Sequence, residues 1–239
     1  MISEYLFGGG FFLKTIKEKR EDIKNLLISK RISEFAKRNT IIGNEAFIKA
    51  KNISLIGDIE TMKPADGMYR AKKIADAFCN CRFANEYGIE VDTYLAHTTT
   101  IPILKIGNVR MTIKSVKDID DIKKNVSGYM MELVTYNINL ENQTNMFAQI
   151  DGNDIKNDEV EINEIYYGIL AYHFDISNDI EHITMVFYDS KFEEELLRIE
   201  TPKDILITKE MINHEDKSTL DENNMKKEGE SLREVLELK

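Results

Sequence analysis

The sequence predicts an α+β fold. A mainly antiparallel sheet, with hairpins near 101–116 and 163–189, packs against two long helices at about 11–37 and 67–87. Three observations lead there. Gly107-Asn108 supplies two residues that tolerate positive φ between alternating apolar runs, the strongest short-range signal for a two-residue hairpin. Residues 164–174 and 183–188 are apolar on both faces, as strands covered on both sides should be, and the turn-forming stretch DISNDIE separates them. Long apolar stripes at helical spacing occupy the first ninety residues, apart from the strands, a segregation that fits α+β better than a doubly wound parallel sheet. One domain is expected over 1–207, followed by a polar tail at 208–239.

In the first helix Phe12, Ile16, Ile23, Leu26, Leu27 and Phe35 recur near the 3.6 period, leaving a basic outer face that includes Lys17, Arg20 and Lys24. That face is read either as a solvated surface or as a docking surface for a partner or an anion. Just before it, residues 8–15 nearly spell a phosphate-binding loop, but Leu13 stands where the second glycine must let backbone N–H groups close around phosphate. Residues 40–62 are mixed, with Gly43-Asn44 and Gly57-Asp58 as breaks, and read as a short helix or strand pair. The second helix is expected to start from Asp66 as N-cap and to stop at Gly88, with Ala71, Ile74, Ala75, Phe78, Cys79, Cys81 and Phe83 leaving little polar surface in a buried middle.

Residues 89–97 alternate as a strand and run into the hairpin, predicting a three-stranded meander. The turn sets the register: Ile106 opposite Val109 and Leu104 opposite Met111 on an apolar side, Lys105 opposite Arg110 on the other, with Lys114 beyond. Like charges facing each other across a strand pair are destabilising. Glu90 and Asp92 on the preceding strand are one compensation, and an anionic partner is the other. Residues 117–126 read as a short charged helix and 151–161 as an acidic loop that fails the calcium-loop template, with Lys156 where glycine is required. Residues 192–199 read as a short acidic helix, and 205–207 as a final edge strand. In the tail, Ser231 and Glu234 form a capping-box pattern ahead of Leu232, Val235 and Leu236, a short amphipathic helix that would dock on a partner.

Composition narrows the function classes. Hydrophobic residues at 42% and charged residues at 31% are globular values, and no apolar run reaches the roughly 18 residues needed to span a bilayer. The first twenty residues carry Glu4 early and their positive charges late, the reverse of a signal peptide. Cys79 and Cys81 are too close for an unstrained disulfide, and no second pair completes a zinc site, so they read as buried thiols in a cytoplasmic protein. The net charge of −10 argues against a general nucleic-acid binder, although residues 1–38 carry nine Lys or Arg against five acids. Abundant Ile, Lys and Asn with few Pro fit an AT-rich bacterial, phage or mobile-element genome, and an accessory role such as bacterial defence is the matching expectation.

No nucleophile elbow, zinc-protease helix or dinucleotide fingerprint occurs. The leading expectation is therefore a non-catalytic binding or regulatory protein without a cofactor, acting through a protein partner or, by way of its local basic surfaces, nucleic acid. The alternative is a metal-dependent nuclease or phosphoesterase at 173–191. There His173, His182 and Asp175 would hold a divalent metal, and Asp175, Asp189 and Lys191 would carry the chemistry in a D-x-K pattern.

Overall fold

The computed structural model describes residues 14–53, 63–96, 99–141, 164–208 and 211–212. Helix α1 (Ile16–Ser29) starts at Thr15, whose hydroxyl accepts from the Glu18 amide at 3.2 Å while the Glu18 carboxylate accepts from the Thr15 amide at 2.7 Å. This capping box is worth about 1 kcal/mol. Thr15 of the near-phosphate motif thus serves as a cap, and residues 8–13 of that motif lie outside the described residues. The single helix expected over 11–37 is two. The chain turns at Arg31, with φ at 52°, and α2 (Ile32–Ile53) follows. No proline or glycine marks the break. Arg31 is held instead by a paired contact to Glu34 at 2.5–3.0 Å and by its guanidinium over the Tyr87 ring, and the turn puts both Ile23 with Leu27 and Ile32 with Phe35 into one core.

Helix α2 absorbs residues 40–53, so Gly43-Asn44 is a packing site and not a turn. A Cβ on Gly43 would stand 2.5 Å from the Ile74 Cα of α3 (Lys63–Cys79). The two helices approach as closely as backbone allows. Helix α3 begins before Asp66, which instead pairs with Lys51 at 2.6 Å, and it ends at Cys79, short of the predicted 87. Gly88, in the left-handed region, stops a separate 3-10 turn, Ala84–Tyr87.

The described residues form six strands, β1 (Glu90–Ala96), β2 (Thr99–Ile106), β3 (Val109–Ser115), β4 (Tyr166–Phe174), β5 (Ile180–Tyr188) and β6 (Glu195–Glu200). They lie in sequence order in one sheet, and every pair is antiparallel except β3 with β4. The meander and its register are as read: Ile106 faces Val109, Lys105 faces Arg110 and Leu104 faces Met111. Parallel pairing demands a long return connection, and α4 (Asp121–Lys124), α5 (Gly128–Val134) and α6 (Ile138–Glu141) belong to it. Helices α1–α3 cover one face through Leu104, Ile106, Val109, Met111, Leu170 and Met185. The short helices cover the other through Tyr167, Ile169, Ala171, Val186 and Tyr188.

His173 faces His182 as expected, but a bulge then places Phe174 opposite Ile180 where Glu181 was predicted. The segment read as an acidic helix, 192–199, is a turn plus β6. Leu197 pairs with Phe187 and Ile199 with Met185, so sheet pairing and burial outweigh the helical pattern of the charged residues. Residues 205–207 are irregular and form no strand, and the Lys37 ammonium donates to the Lys203 and Ile205 carbonyls at 3.1 and 2.6 Å. The acidic loop at 151–161 and the predicted docking residues Leu232, Val235 and Leu236 lie outside the described residues.

Candidate functional site

A cavity of about 630 Å³ forms a groove between α3 and the β2–β3–β4 end of the sheet. One wall follows from helical spacing. Met68, Ala71, Lys72, Ala75 and Asp76 recur at steps of three and four and so share a face of α3. The floor follows from strand spacing. Thr100 and Pro102 of β2, Ile113 and Ser115 of β3 and Tyr172 of β4 alternate onto the side facing α3. Ala71 and Ala75 are small, so they leave depth that a larger residue would fill.

The groove is mainly apolar with a few polar tips, the usual makeup of a binding cleft. Tyr172 and Tyr129 line it, and burial pushes both phenols upward, so they stay protonated donors across the physiological range. Lys72 and Asp76 supply one charge of each sign at the α3 wall. Beside the groove, Met68 is 79% exposed and Leu95 of β1 is 70% exposed. Strand β1 is an edge of the sheet, with only β2 hydrogen-bonded to it among the described strands.

The residues singled out in the sequence fall elsewhere and do not converge. Lys105 pairs with Asp92 at 2.8 Å, the internal compensation anticipated, and this pairing holds the Asp92 carboxyl below its usual range. Arg110 donates to the Gly107 and Val109 carbonyls at 2.7 and 2.9 Å, folding onto its own turn. Lys114 is half-buried, donates to the Asn125 carbonyl at 2.6 Å, and has its pKa lowered by desolvation. The ribbon cations are therefore largely engaged within the fold. Lys17 and Lys24 are exposed on α1, and Arg20 is half-buried.

Asp175 and Asp189 bracket β5 from opposite ends, a separation of roughly 25–30 Å at about 3.3 Å per residue, so they share no site. Each carboxylate is used locally. Asp175 accepts from the Ser177 and Asp179 amides at 2.8 and 2.9 Å, shaping the β4–β5 turn. Asp189, buried, accepts from the Glu193 and Glu194 amides at 2.6 and 3.0 Å and shapes the β5–β6 turn, while Lys191 is exposed. His173 and His182 stack with ring centres 6.1 Å apart; His173 approaches Glu181 at 3.7 Å, and the His182 Nε2 lies 3.3 Å from the Lys117 carbonyl. Burial lowers the His173 pKa, with Glu181 opposing. No group of three or more His, Cys, Asp or Glu placed to hold a metal ion occurs among the described residues. Among them, too, no helix is long and apolar enough to cross a membrane.

Sequence reasoning missed the groove because its two walls lie tens of residues apart. The α3 spacing of Met68, Ala71 and Ala75 was the one available signal, and it reads equally as core. No family model, curated protein or solved structure matches the chain.

Proposed function

We propose that the chain is a non-catalytic binding protein whose groove between α3 and β2–β3 receives an apolar segment of a protein partner. The observation that carries this reading is the exposure of Met68 and Leu95 beside an apolar groove with small side chains on its α3 wall and Tyr172 in its floor. Large apolar side chains clustered at a cleft are a mark of interaction sites, whereas scattered ones are ordinary. The free edge of β1 supports the same occupant. An extended segment can hydrogen-bond to an edge strand while its side chains enter the adjacent cleft. Asp92 puts a charge near the start of that edge, which discourages indiscriminate pairing there, and leaves Thr93–Leu95 as its uncharged part.

A photo-crosslinking residue at Lys72, introduced in the native host, tests the reading. Crosslinks are expected to converge on one apolar stretch of one protein. Ala75→Trp, which fills the groove, should remove at least nine-tenths of that product, and Lys105→Glu with Arg110→Glu should leave it intact. Equal crosslinking in folded Ala75→Trp would assign the contact to another surface and overturn the groove.

A further inference from the structure

We infer that the partner at the β1 edge and the outer flank of α3 is a second copy of this chain, related by a two-fold axis at Thr93. The inference rests on the contact surface proposed above and names what occupies it. Hydrogen-bond parity across the sheet comes first. The two-residue turn makes Ile106 and Val109 a hydrogen-bonded pair, so Leu104 also bonds toward β3, and the alternate residues Ile103 and Ile101 bond toward β1 through Asp92 and Tyr94. Val91, Thr93 and Leu95 therefore turn their N–H and C=O groups outward. The Thr93 N–H, held by the Asp92 carboxylate at 2.8 Å, has this direction.

Strand β1 (Glu90–Ala96) has Thr93 as its middle residue. Two copies running antiparallel about it overlap along the whole strand, and every outward group from Val91 to Leu95 finds a partner. The contact is isologous. Leu95, 70% exposed, falls opposite Val91 of the second copy, a residue packed against the helical core, and the reverse holds by symmetry. A carbonyl of the second copy takes over the Thr93 N–H, and Asp92 keeps Lys105 at 2.8 Å. No like charges stand directly opposite each other, because Asp92 meets Tyr94 and Glu90 meets Ala96.

The flank of α3 supplies complementary charges. Lys72 and Asp76 stand two residues either side of Ile74, which meets Gly43 of α2, so at about 100° per residue they occupy the side turned away from α2. Neither has an ion-pair partner among the described residues, and lysine one turn before the acid is the poorer order for pairing within a helix. Helix α3 lies over β1, β2 and β3, so this side borders the β1 edge. Pro102, the β2 partner of Thr93, lines the groove together with α3 residues 68–76, so the axis crosses α3 within that span. The second α3 then runs antiparallel alongside, about 14 Å away at three strand spacings from β2 to β2, a gap that lysine and aspartate side chains bridge. Lys72 of each copy faces Asp76 of the other, an ion pair that one chain does not make. Each chain carries a net charge of −10, and this local matching offsets the repulsion between copies.

Analytical ultracentrifugation of the full chain tests the assignment and is expected to give twice the chain mass at micromolar concentration. Thr93→Pro removes an outward N–H without breaking the β1–β2 ladder, and should weaken dimerisation at least tenfold with near-ultraviolet circular dichroism retained. Lys72→Asp and Asp76→Lys should each weaken it as much. The double exchange restores opposite charges across the axis and should return the dissociation constant to within threefold of the unaltered chain, a rescue that a folding defect does not mimic. If Thr93→Pro unfolds, the charge exchange decides. A monomer at tens of micromolar would overturn the second copy, and the groove reading would still stand where Lys72 crosslinks a different protein. A dimer unmoved by folded Thr93→Pro or by the single reversals, or reversals that the double exchange fails to rescue, would overturn this interface.

Discussion

Asn137→Ala is expected to lower the free energy of unfolding by about 3 kcal/mol, because it strips partners from three buried backbone groups at once. Asn137 is fully buried. Its amide donates to the Tyr167 and Tyr188 carbonyls at 2.7 and 2.8 Å, and its carbonyl oxygen accepts from the Tyr167 N–H at 2.7 Å. The regular pairing of β4 with β5 extends only from Phe174 to Ile169, so at Tyr167 and Tyr188 the side chain takes the place of a ladder rung. A buried group left without its partner costs roughly 1–3 kcal/mol, and the neighbouring Tyr167 hydroxyl, bonded to Thr112 at 2.6 Å, is already engaged. Asn137→Asp should also destabilise, since it keeps the acceptor and loses both donors. Urea unfolding at neutral pH measures both variants. A loss under about 1 kcal/mol for the alanine form would mean that water replaces the amide.

Gly43→Ala is expected to cost about 2 kcal/mol, even though alanine favours a helix over glycine by about 1 kcal/mol. The added Cβ would meet the Ile74 Cα at 2.5 Å and its Cγ1 at 2.8 Å. Backbone cannot step aside as a flexible side chain can, so α3 must move away from α2. That shift also displaces the α3 wall of the groove, so the Lys72 crosslink should weaken together with stability. Gly67→Ala is the matched control. Gly67 lies in α3 with nothing within 4 Å of the added carbon, so only the propensity gain remains, a stabilisation of up to about 1 kcal/mol. Thermal unfolding of the two variants side by side separates the steric effect from the propensity effect. Destabilisation of equal size in both would remove the close-packing argument.

The two substitutions also mark where the fold was legible and where it was not. Gly43 in sequence, followed by Asn44, looks like a turn, and only the nearness of Ile74 reveals a helix crossing. Asn137 lies among polar residues that follow neither a helical nor a strand period, and its role depends on strands thirty and fifty residues later. The break at Arg31 was likewise hidden. Its positive φ is stabilised by Glu34 close by and by Tyr87 from another element, not by a glycine or proline that could be read in advance. For β6, the acidic residues between Phe192 and Ile199 suggested a helix, and the neighbouring strand decided otherwise.

What the sequence determined by itself was whatever rests on short-range periodicity: the α+β class, the Gly107-Asn108 turn with its register, and the His173–His182 pairing across the second hairpin. Alternation and turn chemistry act over a few residues, so they can be read locally. The tertiary structure alone decided the parallel pairing of β3 with β4, the groove beneath α3 and the close crossing of α2 and α3 at Gly43. Each of these depends on which distant surfaces meet. That choice is made by the burial of whole faces, which no short stretch of chain encodes.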